Sequence, residues 1–163
     1  GTEYGFEVTP LWIRRQAYWT FLAGGHHSYG HSDCWRLLPT WRGALDAPGA
    51  AQLRILRDVL TGRSAWWNLV PDQALIANCE SGDPALHVAA RSEAGDWGLV
   101  YLGGSATVSL RMTGIGTGAM VDASWIAPGS GETRAVGSFA TTGRRRFSTP
   151  EGWEDAVLLL EAR

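Results

Sequence analysis

The sequence predicts an α+β chain: a helical, tryptophan-rich stretch followed by an antiparallel β-sandwich. Two observations carry this. Before about residue 72, apolar residues recur at helical spacing in two stretches. After it, short apolar runs follow one another at regular intervals, separated by Gly, Ser, Pro and Asp. The length of 163 residues suits one ordinary domain or two small ones. With 45% hydrophobic and 18% charged residues the chain can pack a core and is not disordered.

The first helix spans Pro10–Ala23. Thr9 is a plausible N-cap, Pro10 suits the first helical position, and Gly24-Gly25 is the stop. A long loop follows over 25–47, holding His26, His27, Tyr29, His31, Asp33, Trp35 and Trp41. Loops of this length in compact domains are functional or disordered, and the aromatic content argues against disorder. The second helix spans Pro48–Leu60, with Gly62 as its stop. Ser64 is read as the cap of one further turn ahead of Val70-Pro71-Asp72.

Eight strands are predicted after that: Ala74–Cys79, Ala85–Arg91, Trp97–Leu102, Ala106–Arg111, Ala119–Ile126, Thr133–Phe139, Arg145–Ser148 and Ala156–Leu160. Over Thr107–Met112 every second side chain is apolar, the mark of a strand buried on one face. Connections such as Ser81-Gly82-Asp83-Pro84 and Pro128-Gly129-Ser130-Gly131 carry turn chemistry. The two helices cannot bury their apolar rows alone, so they need a partner in the sandwich or beyond this chain.

Composition excludes several functions. The net charge of −2 argues against nucleic acid as a partner. No run approaches the roughly 18 apolar residues of a membrane helix, so no membrane partner is expected. The 21 glycines have no three-residue period, which excludes a collagen-like chain. The start, GTEYGFEVTP, carries no signal-peptide pattern. All 14 basic residues are Arg. Cys34 and Cys79 are too few for a disulfide framework and lack metal-ligand spacing; whether they pair is open.

Four groups of residues could carry chemistry. Glu3 and Glu7, four apart, read on their own as solvated carboxylates. His26, His27, His31 and Asp33 invite a metal, but Ser28 and Gly30 argue against the helix that would align His27 with His31, and no Cys/His quartet exists. No metal and no cofactor is expected. Trp35 and Trp41 are candidate stacking platforms for sugar rings, whereas Trp19, Trp66 and Trp67 read as packing residues. Arg144-Arg145-Arg146 reads as a solvated strand, its charges split between two faces.

Three stretches of the first half, taken together, resemble one family. They are Arg14-Arg15-Gln16-Ala17-Tyr18-Trp19 leading to Gly25-His26-His27-Ser28-Tyr29-Gly30, then Leu45-Asp46-Ala47-Pro48-Gly49-Ala50, then Leu69-Val70-Pro71-Asp72. This resembles the apiosidase-like family of (β/α)8-barrel glycoside hydrolases. The second half is similar to the β-sandwich that accompanies it, labelled a collagen-binding domain of a collagenase. The matching runs are Leu99–Gly104, Ala123–Gly131 and Asp155–Leu160.

The resemblance implies that residues 1–72 are a remnant of a barrel and 73–163 an accessory sandwich. A barrel takes about 250 residues, so only its last quarter fits here, with a barrel strand expected around Phe21–His26 and the first helix stopping near Trp19 or Thr20. It implies that Glu3 stands at the nucleophile position of a retaining glycosidase whose acid partner is absent, and that Glu7, His27 and Tyr29 contact substrate beside Trp35 and Trp41. Such an enzyme needs two carboxyl groups about 5–5.5 Å apart, so the chain alone is expected to be inactive. The implied partners are a polysaccharide or collagen, and the implied location of the parent is secreted or periplasmic. A homodimer through the exposed remnant surface is also expected.

Overall fold

The computed structural model describes residues 8–80, 86–116 and 118–163. Glu3 and Glu7 lie outside the described residues.

Helix α1 runs Pro10–Leu22, with the Thr9 side chain accepting from the Trp12 N–H at 3.3 Å. It does not stop near Trp19. Leu22 is 1% exposed, and burying it extends the helix by most of a turn. The expected strand over Phe21–His26 is not formed. Phe21 and Leu22 stay helical, and among the described residues no strand pairs with the segment. Gly24, at φ +84°, turns the chain away, and Gly25 donates back to the Thr20 carbonyl at 2.8 Å.

The stretch 25–47 is not one loop. It contains two single-turn helices, α2 (Ser32–Trp35) and α3 (Trp41–Ala44). The His31 ring nitrogen Nδ1 accepts from the Asp33 N–H at 3.2 Å and starts α2. Helix α4 runs Pro48–Thr61 and ends at Gly62, burying Leu56, Val59 and Leu60. A 3-10 turn follows at Trp66–Asn68. It is set by Ala65 in the left-handed region (φ +49°), not by a Ser64 cap, at a cost of about 1 kcal/mol.

Among the described residues nine strands follow: β1 (Leu69–Pro71), β2 (Ile76–Glu80), β3 (His87–Ser92), β4 (Trp97–Leu102), β5 (Thr107–Arg111), β6 (Met120–Ile126), β7 (Thr133–Ala140), β8 (Arg144–Ser148) and β9 (Ala156–Ala162). The segment expected to begin at Ala74 starts instead with a 3-10 turn, Gln73–Leu75, that buries Leu75. Strand β1 lay unread in the sequence, because three residues ending in Pro carry no periodicity.

The strands form two antiparallel sheets, ordered β1-β3-β4-β9-β6-β7 and β2-β5-β8. One face of the six-stranded sheet packs on the smaller sheet through Val100, Leu102, Val108, Leu110, Val121, Ala123, Trp125, Phe147, Leu158 and Leu160. Its other face is covered by α1 and α4, with Ala17, Tyr18, Leu22, Leu56, Val59 and Leu60 against Leu99, Tyr101, Val157 and Leu159. The architecture is therefore three layers: helices, large sheet, small sheet. This explains the two strand patterns. Strand β5 alternates because one face is buried, while every residue of β4 and the first five of β9 are buried because both faces are covered.

Candidate functional site

The sharp turn at Gly24-Gly25 leads into His26–Gly30, which is neither helix nor strand. His27 and Tyr29 enter a pocket of about 240 Å³ between α1 and α4, with a floor of Phe21, Leu53, Leu56 and Leu60. Arg57, Thr61 and Trp66 complete the lining. Among the described residues no carboxylate lines it.

The His27 Nε2 atom is buried and has no hydrogen-bond partner among the described residues. Burial lowers the His27 pKa and favours the neutral imidazole. Burial raises the Tyr29 pKa, with a smaller contribution from Cys34. The site can therefore offer a neutral imidazole and a phenol above an apolar floor. That suits a small ring or a bulky side chain that can also exchange a hydrogen bond.

The other residues singled out in the sequence lie elsewhere. Trp35 is 69% exposed at the end of α2. Trp41 is half-buried, with the Arg42 guanidinium 4.6 Å from its ring centroid. His31 caps α2, and Asp33 accepts from Thr40 at 2.6 Å. Among the described residues no three of His, Cys, Asp and Glu are grouped so as to hold a metal ion. Trp66 was read as a packing residue. Its place in the pocket follows from the left-handed Ala65, which leaves no mark on hydrophobic periodicity.

A second constellation lies between α1 and the large sheet. Arg14 and Asp155 are each 3% exposed and meet in a forked pair, Nε to Oδ2 at 3.0 Å and Nη2 to Oδ1 at 2.9 Å. Nη1 donates to Gln52 of α4 at 2.7 Å, and the Tyr101 hydroxyl donates to Asp155 at 2.8 Å. Tyr18 stacks on Tyr101 with ring centroids 4.5 Å apart. Burial works against the charge on Arg14, but the bonds from Asp155 outweigh it and the Arg14 pKa is raised. Burial and the nearby Asp155 also raise the Tyr18 and Tyr101 pKa values, so both stay neutral.

Around this pair, Arg15 Nε donates to the Gly103 carbonyl at 2.7 Å and Trp19 Nε1 to the Leu86 carbonyl at 3.2 Å. Gly103 itself has no room for a side chain, since a Cβ there would sit 2.7 Å from the Leu86 oxygen. Every distinctive residue of Arg14-Arg15-Gln16-Ala17-Tyr18-Trp19 except the exposed Gln16 is thus spent on the sandwich.

The family described as "Putative collagen-binding domain of a collagenase" matches residues 70–161. The chain belongs to that family. A second family, "Apiosidase-like, catalytic domain", matches residues 3–68. Two solved structures are similar to nearly the whole chain. One is a glycoside hydrolase, 26% identical, with a TM-score of 0.86 over 98% of this chain and 38% of its own. The other is a glycoside hydrolase family 5 protein from Bacteroides vulgatus ATCC 8482, 25% identical, with a TM-score of 0.86 over 98% of this chain and 37% of its own. No curated protein matches. The chain of this collagen-binding-domain family therefore has a glycoside-hydrolase-like fold, and spans less than two-fifths of the solved relatives' length. Its family matches meet between residues 68 and 70, where the 3-10 turn hands over to β1.

Proposed function

We propose that this chain is the C-terminal part of a glycoside-hydrolase-like protein, that residues 1–72 belong to a (β/α)8 barrel, and that the sandwich over 73–163 braces them. The observation that carries this reading is the seam. The motif residues of α1 form its hydrogen bonds, ion pair and ring stack with the sandwich, while Trp35, Leu37, Leu45 and Trp67 of the same helical half remain exposed. A helical layer with one side satisfied and the other bare suits a piece of a larger domain.

By itself the chain does no hydrolysis. A retaining glycosidase needs two carboxyl groups about 5–5.5 Å apart. Glu3 is the nucleophile position in this reading, and its acid partner lies in the rest of the barrel. His27 and Tyr29, with Glu7, Trp35 and Trp41, line the substrate path of the whole enzyme, which acts on polysaccharide outside the cell.

The test is an aryl-glycoside assay on the purified chain, alongside sequencing of the genomic DNA upstream of the Thr2 codon. The expected results are no hydrolysis and an in-frame barrel carrying a strand-4 carboxylate. Hydrolysis abolished by Glu3→Gln would overturn the inactive assignment. The second reading, a collagen- or glycan-binding module, draws on the family's description and on the bare ring of Trp35. Binding on a glycan array or in a collagen pull-down, lost in Trp35→Ala, would favour it over bracing.

A further inference from the structure

Four strands edge the two sheets, and three are protected against pairing with another chain. Strand β1 has three residues and ends in Pro71. Strand β2 has five and a register shift between Ile76 and Asn78. Strand β8 begins with three arginines, and Arg146 is held by Glu80. Strand β7 differs. It is the longest of the four, with eight residues, seven of them exposed; its one charge, Arg134, pairs with Glu132, and it too has a register shift, against β6.

Its outward backbone groups can be assigned. Beyond one end of β7, the Thr141 N–H donates to the Ala119 carbonyl at 3.1 Å; beyond the other, the Ala127 N–H donates to the Glu132 carbonyl at 2.8 Å. Bonded and non-bonded pairs alternate along an antiparallel ladder. Counting inward from each end, Phe139, Gly137 and Arg134 bond to β6, while Thr133, Ala135, Ser138 and Ala140 aim away from it. Val136 has no opposite residue, because the register jumps from Ala123↔Gly137 to Ser124↔Ala135. This extra residue shifts the parity, so the outward positions are odd before it and even after it.

The shift makes the strand self-complementary over its whole length. Laid antiparallel on a second copy with Thr133 opposite Ala140, every outward residue meets an outward residue, Thr133 with Ala140 and Ala135 with Ser138. Without the extra residue the same alignment would set outward groups against inward ones. On the face shared with Trp125 and Val121, Arg134 would stand opposite Phe139 of the second copy. The strand's one charge then meets an aromatic ring and not the Arg134 of the second copy. Arg134 already lies 4.8 Å from the Trp153 ring, and Phe139 already carries Arg145 at 4.7 Å. The other face offers the small side chains of Thr133, Ala135, Ser138 and Ala140.

We propose that β7 is the interface between two copies of this chain, paired antiparallel so that their six-stranded sheets continue into one. The occupant is a second copy because register and charge both match the strand to itself. The proposal stands apart from the barrel reading, since β7 lies at the sheet edge remote from β1.

Sedimentation equilibrium of the full chain over a concentration series tests it. A monomer–dimer equilibrium is expected. Ala135→Pro removes an outward N–H from both copies and leaves the ladder to β6 intact; it should weaken the dimer roughly tenfold or more. Val136→Lys brings two like charges together at the two-fold axis, and should also dissociate the dimer while leaving the monomer's melting temperature unchanged. Hydrogen exchange at Thr133, Ala135, Ser138 and Ala140 should slow as the dimer fills. A chain that stays monomeric at the highest concentration overturns the proposal. So does a dimer that Val136→Lys leaves intact, which would place the contact on the Trp35 and Trp67 side.

Discussion

The helical layer has two sides, and they are built by opposite rules. Toward the sheet, Arg14 has carboxylate, amide and aromatic neighbours, and Ala17 and Tyr18 are fully buried. Away from it, His27 and Tyr29 line an open pocket and Trp67 is 70% exposed. The same chain segment supplies both sides, so composition does not explain the difference. What differs is whether a partner surface is present. The comparison teaches that the helices pack on the sandwich through one side only, and that the other side carries the pocket and the exposed rings.

The largest effect should come from breaking the satisfied side. Asp155→Ala leaves Arg14 buried without its forked partner and Tyr101 without an acceptor. Removing one member of a buried pair costs about 3–5 kcal/mol, so urea unfolding should show a loss of that size. A loss under about 1 kcal/mol would mean that packing alone holds the seam. The effect should be cooperative, with helix and sheet signals lost together, because α1 and α4 have no other core.

A smaller effect separates the hydroxyl from the ring. Tyr101→Phe keeps the stack on Tyr18 and removes one hydrogen bond to a buried carboxylate. Such bonds contribute about 1.5–3 kcal/mol, and the measured midpoint in urea should fall accordingly. If Tyr101→Phe costs as much as Asp155→Ala, the hydroxyl rather than the ion pair organises the seam.

These contrasts also explain what the sequence made legible. Both long helices show in it because Leu56, Val59 and Leu60 repeat at helical spacing and Pro10, Pro48, Gly24 and Gly62 mark the ends. The strands after residue 76 show because β5 alternates and the turns carry Gly, Pro and Asp. The third layer does not show. Val157–Leu160 is apolar on both faces, and only the fold reveals that helices cover one of them. The strand expected over Phe21–His26 failed for the complementary reason: strand formation depends on a neighbouring strand, which no local pattern encodes. His27 and Tyr29 are visible as a loop motif, and the fold brings both to one pocket. Trp66 is not, because it follows the left-handed Ala65, which leaves no mark on periodicity. Arg14 was visible only as part of a motif. Its partner Asp155 is 141 residues away, and nothing short of the fold joins them.

The smallest effect lies on the bare side and depends on pH. Burial lowers the His27 pKa below the ordinary histidine value of 6.5. The folded chain therefore binds this proton less readily than the unfolded chain. Between the two pKa values the unfolded state holds more protons, so stability rises with pH there. This contribution is complete above about pH 6.5, the unfolded value. It is lost as pH falls toward the depressed folded value, below which it stays constant. His27→Gln removes the titrating group and should flatten that part of the stability–pH curve, measured by urea midpoints below pH 7, without changing the curve above it. A small molecule or partner that covers the pocket should instead move that slope. If it accepts a hydrogen bond from a protonated Nε2, it raises the His27 pKa and moves the slope to higher pH; if it donates to neutral Nε2, it deepens the depression. The direction in which a partner shifts that slope thus reports which hydrogen-bonding group it brings to His27, and so tells what chemistry completes the side of the helical layer that the sandwich leaves open.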